Sequence, residues 1–302
     1  MIWHRRPVPA QPAIGLTLQP DPDYLERLYP LFAAEVDVLE VAPETTWLID
    51  PVTDAFTTNR YHAAFREILA RCGKPCIAHG VGLSLGTTGD ADRRARWLAR
   101  LAADQKLFDY RWYTDHLGAS ALAGLALTLP IGLPMTPASV AVVRARLADM
   151  QTIVPVVGLE NSAIYFTLGD PLDEPAFINK ILADEHHLLL DLHNLHTMAE
   201  NFGFDPHAYL QRLDLTRVLE IHLAGGRTSD PAWLPSQRTL RLDSHDASVP
   251  EPVWRLLTHV LPRCPNLRAV VLERMEGTVE AGDEILLREE IRRARRLVER
   301  SR

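Results

Sequence analysis

The chain is poor in the residues that several common functional classes depend on. Its 302 residues include three cysteines, Cys72, Cys76 and Cys264, and no C-x-x-C. An odd count without that spacing argues against a disulfide framework or a zinc ribbon, and leaves too little thiolate for an iron–sulfur cluster. No run approaches the roughly 18 apolar residues that cross a bilayer. The first residues, MIWHRRPVPAQPAIG, lack the apolar stretch of a signal peptide. The expectation is a cytoplasmic protein without a membrane partner. Positive charge is not in excess: the formal net charge is −7, which disfavours a nucleic-acid surface. Lysine is confined to Lys74, Lys106 and Lys180. No G-x-G-x-x-G turn follows any apolar run, so a doubly wound dinucleotide fold is not indicated.

What is present has the balance of an ordinary globular protein, 47% apolar and 24% charged, unlike a disordered chain, a collagen or a coiled coil. One alternation repeats about eight times. Short apolar runs at Ala13–Leu18, Val36–Val41, Cys76–Val81, Phe108–Thr114, Val154–Leu159, Leu188–Leu192, Val218–Leu223 and Ala269–Leu272 read as buried parallel strands. Helical spacing marks Asp21–Phe32, Tyr61–Arg71, Ala91–Ala103, Pro137–Met150, Glu174–Ala183, Pro206–Leu213 and Pro252–Leu261. Thr136 before Pro137 suits a helix start, and Leu287, Ile291, Ala294 and Val298 form the stripe of a last helix. Eight strand–helix units in this length predict one (β/α)8 TIM-type barrel spanning residues 1–302, with an N-terminal tail over residues 1–12.

The active face of such a barrel lies at the C-terminal ends of its strands. In order, the runs end in Glu40 and Glu44; His79; Asp115 and His116; Glu160 and Asn161; Asp191, His193, Asn194 and His196; Glu220 and His222; and Glu273. Asp243 and His245 follow in LRLDSHDASVP, beyond a long loop. A solvated polar rim would account for a few of these residues. Many carboxylates converging on one mouth, however, repel unless positive charge lies among them. Mixed imidazole and carboxylate sets suit iron, manganese or zinc, so a site for more than one divalent metal is expected. By contrast, His186 and His187 precede the sixth run, on the stability face, and His62, His207 and His259 read as surface residues of outer helices. Arg292, Arg293, Arg295 and Arg296 read as a solvated helix face, and Met198 and Trp233 as packing residues.

At these residues the chain resembles a known family. The segments LEVAPE, AHGVGLSLG, TDH, LEN, LLLDLHN, NFGFDP, EIHLAGG, DSHDASVPEPVW and VLER run in order from Glu40 to Glu273. They resemble the multinuclear non-haem iron-dependent oxidative enzymes of the methanobactin-biosynthesis type, the family of domain of unknown function 692. HGVGLSLG and EIHLAG with a following D-x-H are the more specific of these motifs. The resemblance implies a barrel whose strand ends bind two or three irons, with His79, His116, Glu160, Asp191, His222 and Glu273 as ligands. Glu160 and Asp191 would bridge, and Asp243 and His245 would help hold a third iron. It further implies dioxygen as co-substrate, a cysteine-containing precursor peptide as substrate, and a small partner protein that recognises the leader peptide. Glu40, Glu44, Asp115, Asn161, Asn194 and His196 would lie behind the ligands or beside the substrate.

The chain departs from the family pattern in places. Gly226 stands where the family often has histidine, Asp115 replaces a glutamate, His193 replaces an asparagine, and Thr45 stands where asparagine is usual. The expectation is two tightly held irons and a third position weakened or rebuilt around His193. If the segment is extended, Asp191 and His193 project to one side; His196 would join only if the chain bends after Asn194. The alternative function is a redox-neutral metal enzyme of a related barrel, a sugar isomerase or a phosphodiesterase. The isomerase would want a lysine near the metal and the phosphodiesterase a basic surface, and neither is evident here. A third reading is a non-catalytic subunit that kept the fold.

Overall fold

In a computed structural model the described residues are 11–301 apart from 51, 54, 123, 124 and 184, so most of the expected N-terminal tail lies outside them. In chain order the strands are β1 (Ala13–Leu18), β2 (Val38–Val41), β3 (Trp47–Ile49), β4 (Phe56–Thr58), β5 (Cys76–Gly80), β6 (Tyr113–His116), β7 (Ala119–Leu122), β8 (Leu125–Ile131), β9 (Val157–Glu160), β10 (His187–Asp191), β11 (Val218–Leu223) and β12 (Ala269–Leu272). The helices are α1 (Pro22–Ala34), α2 (Arg60–Cys72), α3 (Ala91–Phe108), α4 (Pro137–Gln151), α5 (Glu174–Leu182), α6 (Leu192–Phe202), α7 (Pro206–Arg212), α8 (Glu251–Val260) and α9 (Asp283–Arg300). Eight strands close in the order β1-β2-β5-β6-β9-β10-β11-β12, and each neighbouring pair is parallel. This is the expected TIM-type barrel.

Local chemistry explains the elements. Asp21, Asn59 and Thr136 cap α1, α2 and α4 by accepting from Tyr24, Tyr61 and Ser139 backbone N–H groups. The expected stripe of α9, from Leu287 to Val298, is buried. One boundary differs by a full turn: α3 runs on to Phe108, where a strand was expected to begin. Phe108 continues the buried i, i+3/i+4 stripe of Trp97, Leu101 and Asp104 on α3, so the helix goes on until Asp109 stops it in the left-handed conformation.

Two antiparallel hairpins, β3–β4 and β7–β8, were not foreseen; they rise from the connections after β2 and β6. The first is pinned from below by Asp104, which accepts from Trp47 Nε1 at 2.6 Å, lies 3.0 Å from His62 Nε2, and pairs with Arg100. His62 is therefore buried, correcting its expected surface position: it shares the inward face of α2 with Phe65 and Ile68. His207 and His259 are exposed as expected. The α9 arginines are not merely solvated, since Arg292, Arg293 and Arg295 pair with Glu35, Glu251 and Asp37. Inside the barrel, Val38, Ile77, Trp112, Ala269 and Val271 form a small apolar floor.

Candidate metal centre

Side chains alternate along a strand, so the inward positions of the short barrel strands project onto one axis just above this floor. His79, His116, Glu160, Asp191 and His222 sit at or next to the last residues of β5, β6, β9, β10 and β11, and Glu273 directly follows β12. Their ligand-capable atoms gather into groups within 4.8 Å: His79–His116–Glu160, Glu160–Asp191–His222 and Asp191–His245–Glu273. Glu160 and Asp191 each belong to two groups. Of two further groups, His193–Asp243–His245 lies at the outer edge and Glu40–Glu220–His222 is fully buried.

Each strand-borne residue commits one polar atom to the scaffold and leaves the other free. His79 Nδ1 pairs with Thr114 Oγ1 at 2.9 Å, and His116 Nδ1 with the Gly80 carbonyl at 3.2 Å. Glu160 Oε1 accepts from Asn194 Nδ2 at 3.0 Å, and Asp191 Oδ1 accepts from Asn194 N at 2.6 Å. His222 Nε2 lies 3.2 Å from Glu40 Oε2, and His193 Nδ1 lies 3.1 Å from Asp243 Oδ1. What remains is Glu160 Oε2, Asp191 Oδ2 and His193 Nε2, buried and without a hydrogen bond, together with His222 Nδ1 and His245 Nε2, which face carboxylates of the cluster itself, Glu273 Oε2 at 3.0 Å and Asp243 Oδ1 at 2.7 Å. Glu160 Oε2 is 3.0 Å from His116 Nε2 and 3.3 Å from His79 Nε2, yet bonds to neither. Atoms that crowd together without bonding are aimed at a common point. This is how residues held from behind present themselves to a cation, and the all-nitrogen-and-oxygen donor set suits a divalent ion.

The electrostatics fit the same arrangement. Burial raises the Glu160 carboxyl to about 7, against the pull of His116 and His222. Burial, with Glu160 and Asp243 nearby, pushes Asp191 well up. Burial opposes a charge on His222 and His245, but Glu273 and Glu40 raise the first, and Asp243 and Glu273 carry the second to about 10. The protein alone thus balances its acids with protons that a cation would displace.

The remaining expected residues divide. Glu40 orients His222, and Asn161 clasps the end of β10 through bonds to Asp191 N and O, both 2.9 Å. Glu44 is not in the cluster; its Oε1 accepts from Val81 and Gly82 N and so fixes the loop after His79. Asp115 is also outside: it follows the opposite parity to His116 and accepts from the Tyr113 hydroxyl at 3.0 Å. Gly80 is required there, because a Cβ would meet that hydroxyl at 2.0 Å. His196 is buried on α6 beyond all the groups.

His193 reaches the outer group by a different route from the expected one. The segment is not extended: Asp191 caps α6, and His193 projects from its first turn. His245 adopts φ 49° on the long connection, a left-handed turn that brings its ring against Asp243 at 2.7 Å. The histidine that Gly226 lacks has no room, since a Cβ there would meet the Leu242 carbonyl at 2.1 Å and His193 Cε1 at 3.0 Å.

Sequence reasoning left Thr114 and Trp112 out of the site, and named Glu220 at a strand end without giving it a role. Glu220 sits one step below His222 on β11, its Oε1 3.6 Å from His222 Nε2, and its Oε2 accepts from Trp112 Nε1 at 2.7 Å. The alternation E-I-H already placed it on the inner face.

The rim has its own character. Among the described residues, the exposed large apolar side chains are Leu48, Ile49, Val52, Val81, Phe166, Leu168, Trp233, Met275, Ile285 and Leu286, plus Leu107. All but Leu107 lie on connections leaving strand C-termini or in the first turn of α9. Trp233, expected to pack, is 66% exposed, whereas Met198 is buried.

Barrel and site together define a TIM-type enzyme scaffold whose mouth carries a buried histidine–carboxylate constellation. Residues 14–299 match the family model described as RiPP precursor modification enzyme MbnB/TglH/ChrH, and the chain belongs to that family. It is 34% identical over 253 residues to a UPF0276 protein of Pseudomonas aeruginosa, covering 82% of this chain and 81% of that one. A UPF0276 protein of Caulobacter vibrioides is 32% identical over 225 residues, 73% of this chain and 76% of the other. Among solved structures, endonuclease IV from Thermus thermophilus aligns with a TM-score of 0.57 at 20% identity, over 96% of this chain and all of that one. A xylose isomerase domain protein from Planctomyces limnophilus aligns at 0.59 and 14%, over 97% and 98%. At those identities the likeness is one of fold alone. Among the described residues no helix is long and apolar enough to cross a membrane.

Proposed function

We propose that this protein is an iron-dependent oxidative enzyme that modifies cysteine in a ribosomally synthesised precursor peptide, with dioxygen as co-substrate. The observation that carries the reading is the division of labour at the strand ends, where His79, His116, Glu160, Asp191 and His222 each have one atom fixed from behind and the other turned to the shared centre. His79, His116, Glu160, Asp191, His222 and Glu273 would hold two irons, and His193, Asp243 and His245 a third, more weakly. Bound iron would supply redox chemistry and open positions for dioxygen and a thiolate. The chain's own part is to orient: Thr114 and Glu40 fix the rings of His79 and His222, and Asn194 fixes both shared carboxylates. The apolar rim would shield the mouth from water and seat a polypeptide.

A redox-neutral sugar enzyme is the competing reading, favoured by the fold of the solved neighbours. Against it stand the family membership and an apolar rim ill-suited to a sugar. The free thiols of Cys72, Cys76 and Cys264 suit a cytoplasmic location. A small leader-recognising protein is proposed as partner. Anaerobic purification, metal counting and exposure to dioxygen with a cysteine-containing precursor test the reading. A mass change confined to the peptide's cysteine is expected; iron-loaded protein that leaves the peptide unaltered while epimerising a ketose would overturn it.

A further inference from the structure

Beside the outer group lies a preformed pocket of about 380 Å³ whose walls include Tyr165, Trp233, Leu234, Leu240, Leu242 and Asp243. Its size is within the range of small-ligand sites, about 300–1,000 Å³. Two features make it more than a gap in a loop. It shares a residue with the constellation: Asp243 is both its wall and the contact of His193 and His245. Its walls are also braced. Ser229 N donates to Leu240 O at 2.7 Å, Leu240 N to Ser229 Oγ at 2.9 Å, and Leu242 N to Arg227 O at 2.8 Å. Asn201 holds the Arg241 backbone through bonds of 2.8 and 2.9 Å, and Tyr165 OH accepts from Asp243 N at 2.9 Å. Asp230 caps the short turn that carries Trp233.

We propose that this pocket is a specificity subsite that takes one large apolar side chain, phenylalanine- or leucine-like, from the residue adjacent in sequence to the one processed at the cluster. The proposal rests on the peptide reading above and names the substrate feature that reading leaves open. A peptide residue held at the outer group places its neighbour a few ångströms away, where Asp243 gives way to aliphatic and indole surface. Moving a side chain of that size from water to such a wall is worth at least about tenfold in binding. Among the exposed apolar residues of the rim, Trp233 alone lines the pocket.

The test uses the full chain, anaerobic and metal-loaded, with acetylated and amidated tetrapeptides in which cysteine is flanked by phenylalanine, leucine, alanine or aspartate. Affinity is read by calorimetry and by tryptophan emission, since Trp47, Trp97, Trp112 and Trp254 are buried and Trp233 is exposed. Phenylalanine and leucine peptides should bind about tenfold more tightly than the aspartate peptide, with a blue shift that Trp233→Phe removes. Leu240→Asp should erase the preference at unchanged metal content, and Trp233→Ala, on an exposed residue that cannot unfold the barrel, should reduce it. Equal affinity for all four peptides in wild type, or an undiminished preference in both Leu240→Asp and Trp233→Ala, would overturn the subsite. The two readings fail separately. A preference without cysteine oxidation leaves the subsite and removes the proposed chemistry; oxidation without a preference does the reverse.

Discussion

The inner and outer parts of the constellation are built on different supports. His79, His116, Glu160, Asp191 and His222 stand on strands whose neighbours fix them through ladder bonds. Asp243 and His245 stand on the long connection over residues 224–250, and His193 on the first turn of a helix. Inner residues are braced by separate scaffold atoms, Thr114, Gly80, Asn194 and Glu40, while the outer ones brace chiefly each other. Strand ends therefore hold the inner set through the barrel ladder, whereas the outer set depends on the hydrogen bonds of the one connection that abuts the pocket.

Glu160→Gln should have the largest effect, because Glu160 is common to two inner groups. Loss of a shared anion should weaken inner metal binding by more than about 100-fold, beyond the usual cost of losing an orienting partner. Chelator competition and metal counting read this, and Asp243→Asn should remove only the outer ion. Equal losses from the two substitutions would break the distinction.

Glu40→Gln ranks next. It keeps the shape but removes the charge that orients His222, and should cost about 10–100-fold in inner affinity. Gly226→His would supply the imidazole usual in the family, yet its Cβ runs into the Leu242 carbonyl. It should lower stability by about 1–3 kcal/mol in urea denaturation and add no metal. A gain of an ion would show that the outer connection yields more than its hydrogen bonds suggest.

The smallest effect is in pH. Glu160, raised to about 7 chiefly by burial, is protonated below that value, whereas His245, raised to about 10 by Asp243 and Glu273 against burial, carries its proton at pH 6 and pH 8 alike. Both protons must leave when a cation enters, so affinity falls as pH falls, more steeply below 7. Calorimetry in buffers of different ionisation enthalpy should find about one more proton released per chain at pH 6 than at pH 8. Equal release at both would remove the inner contribution.

These supports also explain what the sequence could reveal. The runs that became β1, β11 and β12 were legible to the residue, because loops bound apolar stretches sharply there. The inner candidates were legible because a strand end in a barrel has one destination and side chains alternate. The same rule, applied strictly, separates Asp115 from His116 and joins Glu220 to His222. Phe108 misled because an apolar residue continues a helix stripe as readily as it starts a strand. His193 lay in the expected neighbourhood for the wrong reason, since its position comes from the Asp191 cap and not from extended alternation. Neither the path of the connection nor the two hairpins follows from local periodicity; contacts distant in sequence, such as Trp47 with Asp104, fix them.

The bond from Trp112 to Glu220 has a consequence for how this barrel can change. In most such barrels the floor is packing and the mouth is chemistry, so each can drift independently. Here an indole from the apolar floor holds a carboxylate that lies against His222, and His222 rests on Glu40. The interior is a polar column with a greasy base, and repacking that base with larger or smaller hydrophobes would reset the charge balance above it. Such a protein has an evolvable rim and a frozen axis.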